Sequence, residues 1–274
     1  MNSSSVVAPE SLALQRLYHW EKSEPDRVVM TQPQGDGTVR DYTWREVIDQ
    51  SRRMAAHLLS LGYEPGSRIA ILSKNCAHWL MCDFAIWMAG HVSVPLYPTL
   101  AAETIRQILV HSESRLLFVG KLDGWEGMKP GVPTGLPCIS FPLSPKNDYP
   151  SWDTIVRDTA PMPGEPVRDG DELSTIMYTS GTTGAPKGVM HSFATFAWSL
   201  QSGLKRVPVD NNGRILSYLP LSHVAERALV EHSLLAVGGH VFFAESLETF
   251  TADLQRARPT VFFSVPRLWV KFQQ

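Results

Sequence analysis

An α/β fold built from two layered αβα subdomains with mainly parallel sheets is predicted by three observations. Helical and strand periodicities alternate through the first part of the chain, they fade between Gly120 and Gly170, and the same rhythm then resumes to the end. Thr43-Trp-Arg-Glu46 forms a capping box, and Val47, Met54, Leu58 and Leu61 recur at helical spacing until Gly62 closes the helix. A strand is predicted at 68–72, followed by a helix at 77–88, a strand at 93–96, a helix at 102–111 and a strand at 116–119. Such alternation implies parallel βαβ units.

Prolines 130, 133, 137, 142, 145, 150, 161, 163 and 166 punctuate a connector with little regular structure, and a subdomain boundary is expected there. Residues 1–170 are thus assigned to a first α/β subdomain with its Pro-rich connector, and 171–274 to a second. Strands at 174–178, 215–219, 240–244 and 260–265 alternate with helices at 193–205, 224–237 and 250–257, implying a second parallel sheet.

The 274 residues are 43% hydrophobic and 19% charged, enough to bury a core without disulfide or metal staples. With 25 basic against 27 acidic side chains, no electrostatic field favours nucleic acid. The three cysteines, Cys76, Cys82 and Cys138, form no Cys-x-x-Cys pair, which fits neither a disulfide framework nor a zinc site and points to a reducing cytosol. No basic segment precedes an apolar one near Met1, so the chain is expected to start without a signal peptide. The stretch 84–102 carries no Asp, Glu, Lys or Arg, yet Gly90-His91, Pro95 and Pro98 break it midway, so a buried helix running into a core strand is expected rather than a membrane span. Peripheral contact with a membrane and a homodimer are compatible with the sequence, which argues for neither.

The chemistry is concentrated in Thr179 to Gly188. Phosphates need many N–H donors and close backbone approach, and a Gly-rich turn after an apolar strand supplies both, while Ser and Thr hydroxyls add donors. Gly181, Gly184 and Gly188 are read as giving flexibility, with a helix expected next and Lys187 supplying a cation for developing phosphate charge. Ala185 and Pro186 separate Gly184 from Lys187, so this is not the Walker loop, whose Lys follows its last Gly directly.

Tyr178-Thr-Ser-Gly-Thr-Thr-Gly-Ala-Pro-Lys-Gly188 resembles the signature of the AMP-binding superfamily, which includes acyl-CoA synthetases, luciferase-like enzymes and peptide-synthetase adenylation domains. The likeness extends through Tyr42-Thr-Trp-Arg-Glu46, Trp87-Met-Ala-Gly90, Val94-Pro-Leu-Tyr-Pro98 and Tyr218-Leu-Pro-Leu-Ser-His223. Leu219 to Arg227 and Phe263 to Phe272 are similar to long-chain fatty-acid–CoA ligases. The resemblance implies the N-terminal portion of an acyl-CoA synthetase. In such an enzyme a carboxylate attacks the α-phosphorus of ATP, giving acyl-AMP and pyrophosphate, and the CoA thiol then displaces AMP. Carried over, it places Thr179 near magnesium, has Ser180, Gly181, Thr182, Thr183 and Gly184 hold the β- and γ-phosphates, and sets Lys187 beside the departing pyrophosphate. It also places His223 at a strand end beside the acyl and adenylate pocket, as a catalytic residue with Lys187. ATP, Mg2+ and CoA as co-substrate are implied with a fatty acid.

His223 reads equally as a structural cap of the strand end. Glu226 and Arg227 are expected to be solvated or locally paired. Trp198, Phe196, Trp79 and Trp87 are expected to be core, with an acyl tunnel as the alternative for the first two. Members of the superfamily are about twice as long as this chain, and the resemblance assigns the adenine loop, a magnesium glutamate, the ribose-binding aspartate and a C-terminal lysine to segments absent from it. The end at Gln274 falls in what reads as a helix from Arg267, and so looks imposed on a longer sequence. An acyl-AMP ligase serving a carrier protein and a non-catalytic nucleotide-binding remnant are the alternative readings. The intact loop argues against the remnant.

Overall fold

The computed structural model describes residues 7–180 and 186–264. Its chain order begins α1 (Ala13–Ser23), β1 (Val28–Pro33), β2 (Val39–Thr43), α2 (Trp44–Ser60), β3 (Arg68–Leu72), α3 (Ala77–Met88), β4 (Val92–Leu96), α4 (Ala102–His111) and β5 (Leu116–Val119). After α5 (Trp125–Met128), β6 (Cys138–Ser140) and α6 (Trp152–Asp158) come β7 (Leu173–Ser180), β8 (Pro186–Ser192), α7 (Phe193–Leu204) and β9 (Arg214–Ser217). A helix interrupted by a π turn follows, as α8 (Val224–Arg227), the turn Ala228–His232 and α9 (Ser233–Val237). Then come β10 (His240–Phe243) and α10 (Phe250–Ala257).

The described strands form two sheets, ordered β2-β1-β10-β9 and β6-β5-β3-β4-β7-β8. Each is parallel except for an antiparallel hairpin at one edge, β1/β2 in the first and β7/β8 in the second. Helix α3 is buried at every position, because an all-round apolar helix must be covered on all faces. With α1 and α2 it lies between the sheets, packed on Ile69, Ile71 and Phe118 of one and on Val29, Met30 and Val241 of the other. Helix α4 covers the far face of the larger sheet through Ile105, Ile108 and Leu109, and α10 covers the far face of the smaller one through Phe250 and Ala257. The two αβα layers therefore share their middle helices.

The helix at 43–61 appears as α2, with both bonds of the capping box made between Thr43 and Glu46. Helix α10 has the predicted bounds, and 224–237 is helical throughout apart from its π turn. The first departure from expectation is that α1, β1 and β2 precede α2. The Pro-rich connector also carries β6 and α6, the latter capped by the Ser151 hydroxyl. Both sheets draw strands from either side of residue 170, so a split at that position does not separate them. No strand is present at 260–264, because the Thr260 and Val261 N–H groups both turn to a single carbonyl, that of Arg214, instead of alternating along β9. Position 265 lies outside the described residues. Among the described residues, no helix is long and apolar enough to cross a membrane.

Candidate active site

Strand β7 carries Tyr178 and Thr179 to the mouth of the glycine-rich turn. The chain then returns as β8, a strand the sequence did not predict, and α7 begins at Phe193, as predicted. The pairing is antiparallel and places Thr179 opposite Lys187 and Tyr178 opposite Gly188. The turn is thus held between two hydrogen-bonded strands, and Gly181, Thr182, Thr183 and Gly184 themselves lie outside the described residues.

Tyr178 anchors one strand of the hairpin. It is buried in the cluster beneath α4, and its hydroxyl lies 2.7 Å from His111 Nδ1. Gly188 answers to packing rather than flexibility: a Cβ there would stand 2.8 Å from Ile176 Cγ2 and 3.3 Å from Tyr178 Cζ. Thr179 and Lys187 are exposed, and Lys187 makes no ion pair among the described residues. A hydroxyl and an uncommitted ammonium facing each other at the mouth of a turn rich in N–H donors form a set that fits an anionic phosphate.

His223 is the N-cap of α8, its Nδ1 accepting from the Ala225 N–H at 3.2 Å while the ring remains exposed. No hydrogen bond or ion pair among the described residues joins it to Thr179 or Lys187.

Glu226 and Arg227, expected at a solvated or locally paired surface, are buried, and Arg227 pairs locally with Glu231. Glu226 Oε1 accepts from the Ser217 hydroxyl and the Tyr218 N–H, each at 3.0 Å, and from Asn75 Nδ2 at 3.4 Å. Burial pushes its carboxyl up to about 8, against the Ser217 hydroxyl and the Tyr218 and Leu219 N–H groups, which favour the charged form. Asn75, just beyond the C-terminal end of β3, also donates to Ser217 Oγ and the Leu219 carbonyl and accepts from the Leu221 N–H, so one side chain fastens the two sheets together at this end.

Arg227 is fully enclosed. Its Nε donates to Glu231 Oε2 (2.8 Å), Nη1 to Thr175 Oγ1 (2.7 Å), and Nη2 to Ser93 Oγ (3.0 Å) and the Asp83 carboxylate. Trp79, Trp87 and Phe196 lie around the guanidinium, at 5.3, 5.7 and 5.8 Å from Cζ to the ring centroids. These three aromatics are core, as expected, whereas Trp198 is exposed. Asp83, Asn75 and Glu231 were missed in the sequence. A lone acid inside the apolar run 77–88 was the available signal, since a buried charge requires a partner.

An apolar cavity of about 390 Å³ opens elsewhere, between α7, the π turn and α9 on one side and β9 and β10 on the other, lined by residues including Leu204, Val207, Leu229, Leu234, Val241 and Phe262. Thr179, Lys187 and His223 do not line it.

Fold and site together define an α/β protein that carries a glycine-rich turn in an edge hairpin of a mostly parallel sheet. Residues 17–274 match the AMP-binding enzyme family, and the chain belongs to that family. It is 32% identical to the long-chain-fatty-acid–CoA ligase FadD15 of Mycobacterium tuberculosis over 289 aligned residues, covering 99% of this chain and 47% of that protein. It is 32% identical to the peroxisomal long chain acyl-CoA synthetase 6 of Arabidopsis thaliana, over 85% of this chain and 36% of the relative. Among solved structures, a benzoate CoA ligase from Burkholderia xenovorans LB400 superposes with a TM-score of 0.79 at 21% identity, over 94% of this chain and 51% of that one. O-succinylbenzoate coenzyme A synthetase from Bacillus subtilis, in complex with ATP and magnesium ion, gives 0.77 at 22% identity, over 94% and 65%. The chain spans between about a third and a half of the length of these curated relatives.

Proposed function

We propose that the whole protein activates a long-chain fatty acid with ATP, forming an acyl-adenylate and pyrophosphate, and then transfers the acyl group to CoA. In this reading the chain supplies the phosphate-binding hairpin. The observation that carries it is the cross-strand pair of exposed Thr179 and Lys187 at the mouth of the glycine-rich turn. The likeness to long-chain fatty-acid–CoA ligases over nearly the full length of the chain supports the acid and the acceptor.

Main-chain N–H groups and hydroxyls of Ser180, Gly181, Thr182, Thr183 and Gly184 hold the β- and γ-phosphates. The Thr179 hydroxyl would help hold the magnesium that arrives with the nucleotide, an ion that would neutralise phosphate charge when bound. Lys187 stabilises charge that develops on the pyrophosphate as it leaves, an interaction stronger in the transition state than in the ground state. His223, fixed by its cap bond, orients the carboxylate at the end of β9. The apolar cavity falls within the roughly 300–1,000 Å³ span of small-molecule sites and has the chemistry to take a hydrocarbon chain. The location is cytosolic, matching three unpaired cysteines.

The test is a coupled assay for AMP and pyrophosphate on the whole enzyme, with fatty acids of graded length. Release of both products, dependent on long-chain acid and on CoA for thioester, is expected. Turnover with an acyl carrier protein but not with CoA would replace CoA as the acceptor.

A further inference from the structure

The centre formed by Asp83, Arg227 and Glu231 has two carboxyl groups on one guanidinium, all three side chains without solvent exposure. With both acids ionised the unit would carry a net negative charge in a site closed to solvent, which is strongly unfavourable. The geometry also leaves two atoms over. Asp83 Oδ1 and Glu231 Oε1 are buried and accept no hydrogen bond from the groups around them, while the two carboxyl groups converge on one guanidinium. One proton shared between the two carboxyl groups brings the unit to neutrality.

We propose that Glu231 is an uncharged carboxylic acid donating its proton to the Asp83 carboxylate, and that this neutral clamp, through Arg227, is the positioning element that fixes the phosphate-loop strand β7 in the sheet.

The choice of donor follows from the surroundings. Both carboxyls meet the same guanidinium, Asp83 at Nη2 and Glu231 at Nε, and the Ser93 hydroxyl also favours the charged form of Asp83. The groups facing Glu231 are Asp83 and Cys82 from α3, with Arg227 and His232 from its own helix; His191 of β8 lies beyond His232. Burial and the neighbouring Arg227 hold the His232 imidazole well below its usual range, so it stays uncharged, and its Nε2 stands 3.9 Å from Glu231 Oε2 with the ring stacked on Phe196. Burial and the Asp83 charge both push the Glu231 carboxyl far upward.

The positioning role follows from what else Arg227 holds. The register pair joining β7 to β4 is Ser93 and Thr175, and Arg227 donates to the hydroxyl of each. Thr175 in turn donates to the Ser93 carbonyl at 2.9 Å. Four residues further along β7 stands Thr179, so the guanidinium braces the strand that presents the turn. This second half of the proposal rests on the phosphate-binding reading above.

Infrared spectroscopy of the 274-residue chain at neutral pH tests the proton. A carboxylic-acid carbonyl band is expected that is lost in Glu231→Gln and retained in Glu226→Gln. Melting tests the charge pattern: Glu231→Gln, which mimics the neutral acid, should stay within about 3 °C of the parent, whereas Asp83→Asn, which leaves Arg227 uncompensated, should fall by about 8 °C or more. Absence of any Glu231-dependent band, or equal damage from Glu231→Gln and Asp83→Asn, overturns the neutral-acid assignment, including the case in which His232 carries the charge.

For the positioning role, the rise in melting temperature with MgATP is compared between the parent chain, Glu231→Gln and Thr175→Val, which removes the braced hydroxyl without stranding a charge. Thr175→Val should remain folded with less than half of the parent's nucleotide shift, and Glu231→Gln should keep it. An unchanged shift in folded Thr175→Val overturns the positioning role. A parent chain that shows no shift at all refutes the phosphate-binding reading and with it this role, while the infrared result still decides where the proton lies.

Discussion

Tyr178 and Gly188 are partners across the hairpin, and the missing side chain of Gly188 is what gives the Tyr178 ring and Ile176 their place: a Cβ would come within 2.8 Å of Ile176 Cγ2. Because Tyr178 is also held by His111 beneath α4, the pair cannot shift without disturbing the larger sheet's outer cluster. Gly188→Ala is therefore expected to destabilise the chain by about 1–3 kcal/mol, the usual range for overpacking, read as a lower urea midpoint. Gly203→Ala, in α7 with open space around the added methyl, is the control and should be neutral or stabilising by up to about 1 kcal/mol. Equal effects at the two positions would remove the packing role of Gly188.

Glu226 makes stability depend on pH. Its carboxyl, ordinarily at 4.5, is raised to about 8 in the folded chain. Between those values the folded state binds more protons than the unfolded state, so this group's contribution falls as pH rises from about 4.5 through about 8. Glu226→Gln keeps an oxygen for Ser217 and Tyr218 and cannot ionise. The difference in urea midpoint between parent and variant should therefore move in favour of Glu226→Gln from pH 5 to pH 8.5. Parallel curves would show that the buried carboxyl does not titrate in this window.

His223 has two separable roles. As N-cap it accepts from the Ala225 N–H, so His223→Ala should cost about 1 kcal/mol while His223→Asn, a strong cap, should cost little. If its ring also orients the carboxylate, His223→Asn in the whole enzyme should lower kcat with stability intact. Full activity in His223→Asn would leave it a cap and nothing more.

The legible parts of this molecule are those written locally. The capping box of α2 and the bounds of α10 depend on residues a few positions apart, and both appear as predicted. Strand β2 was illegible because Val39–Thr43 is an edge strand exposed at its first three positions, with no alternation to read. Strand β8 was illegible because Pro186–Ser192 is largely exposed and its pairing with β7 is fixed by register rather than by an apolar pattern, whereas the helix predicted from Phe193 appears as α7. Glu226 and Arg227 sit in a short stretch that reads as surface. Their burial depends on Asn75, Asp83 and Thr175, far away in sequence, and no local spacing reports that. At the candidate site the motif announced its residue types, and the structure adds that Thr179 and Lys187 face each other across a hairpin.

Lys187 is exposed and uncommitted among the described residues, so its removal should leave folding almost unchanged. If Lys187 acts as proposed, on the departing pyrophosphate, Lys187→Ala in the whole enzyme should reduce kcat for adenylation at least about tenfold, with a smaller change in ATP affinity. Calorimetry showing the entire loss in ATP binding would reassign Lys187 to holding the ground state.

The 274-residue chain by itself is expected to bind nucleotide weakly and to make no thioester. Bringing the carboxylate into line with the α-phosphate accounts for roughly 7–11 kcal/mol of a barrier, and that alignment requires the adenine, ribose and metal to be held as well as the terminal phosphates. In the proposed reading the hairpin addresses only the phosphates. Modest protection by ATP in a melting assay fits this division of labour, since ligand at a hundred times its Kd adds only about 2.7 kcal/mol and weak binding adds less. An assay for AMP, pyrophosphate and acyl-CoA on the purified chain should therefore read background. The same assay should read turnover when the chain is supplied as part of a protein of the relatives' full length. Robust thioester formation by these residues alone would place the whole catalytic apparatus within them, and the assignment of the hairpin as one part of a larger site would fail.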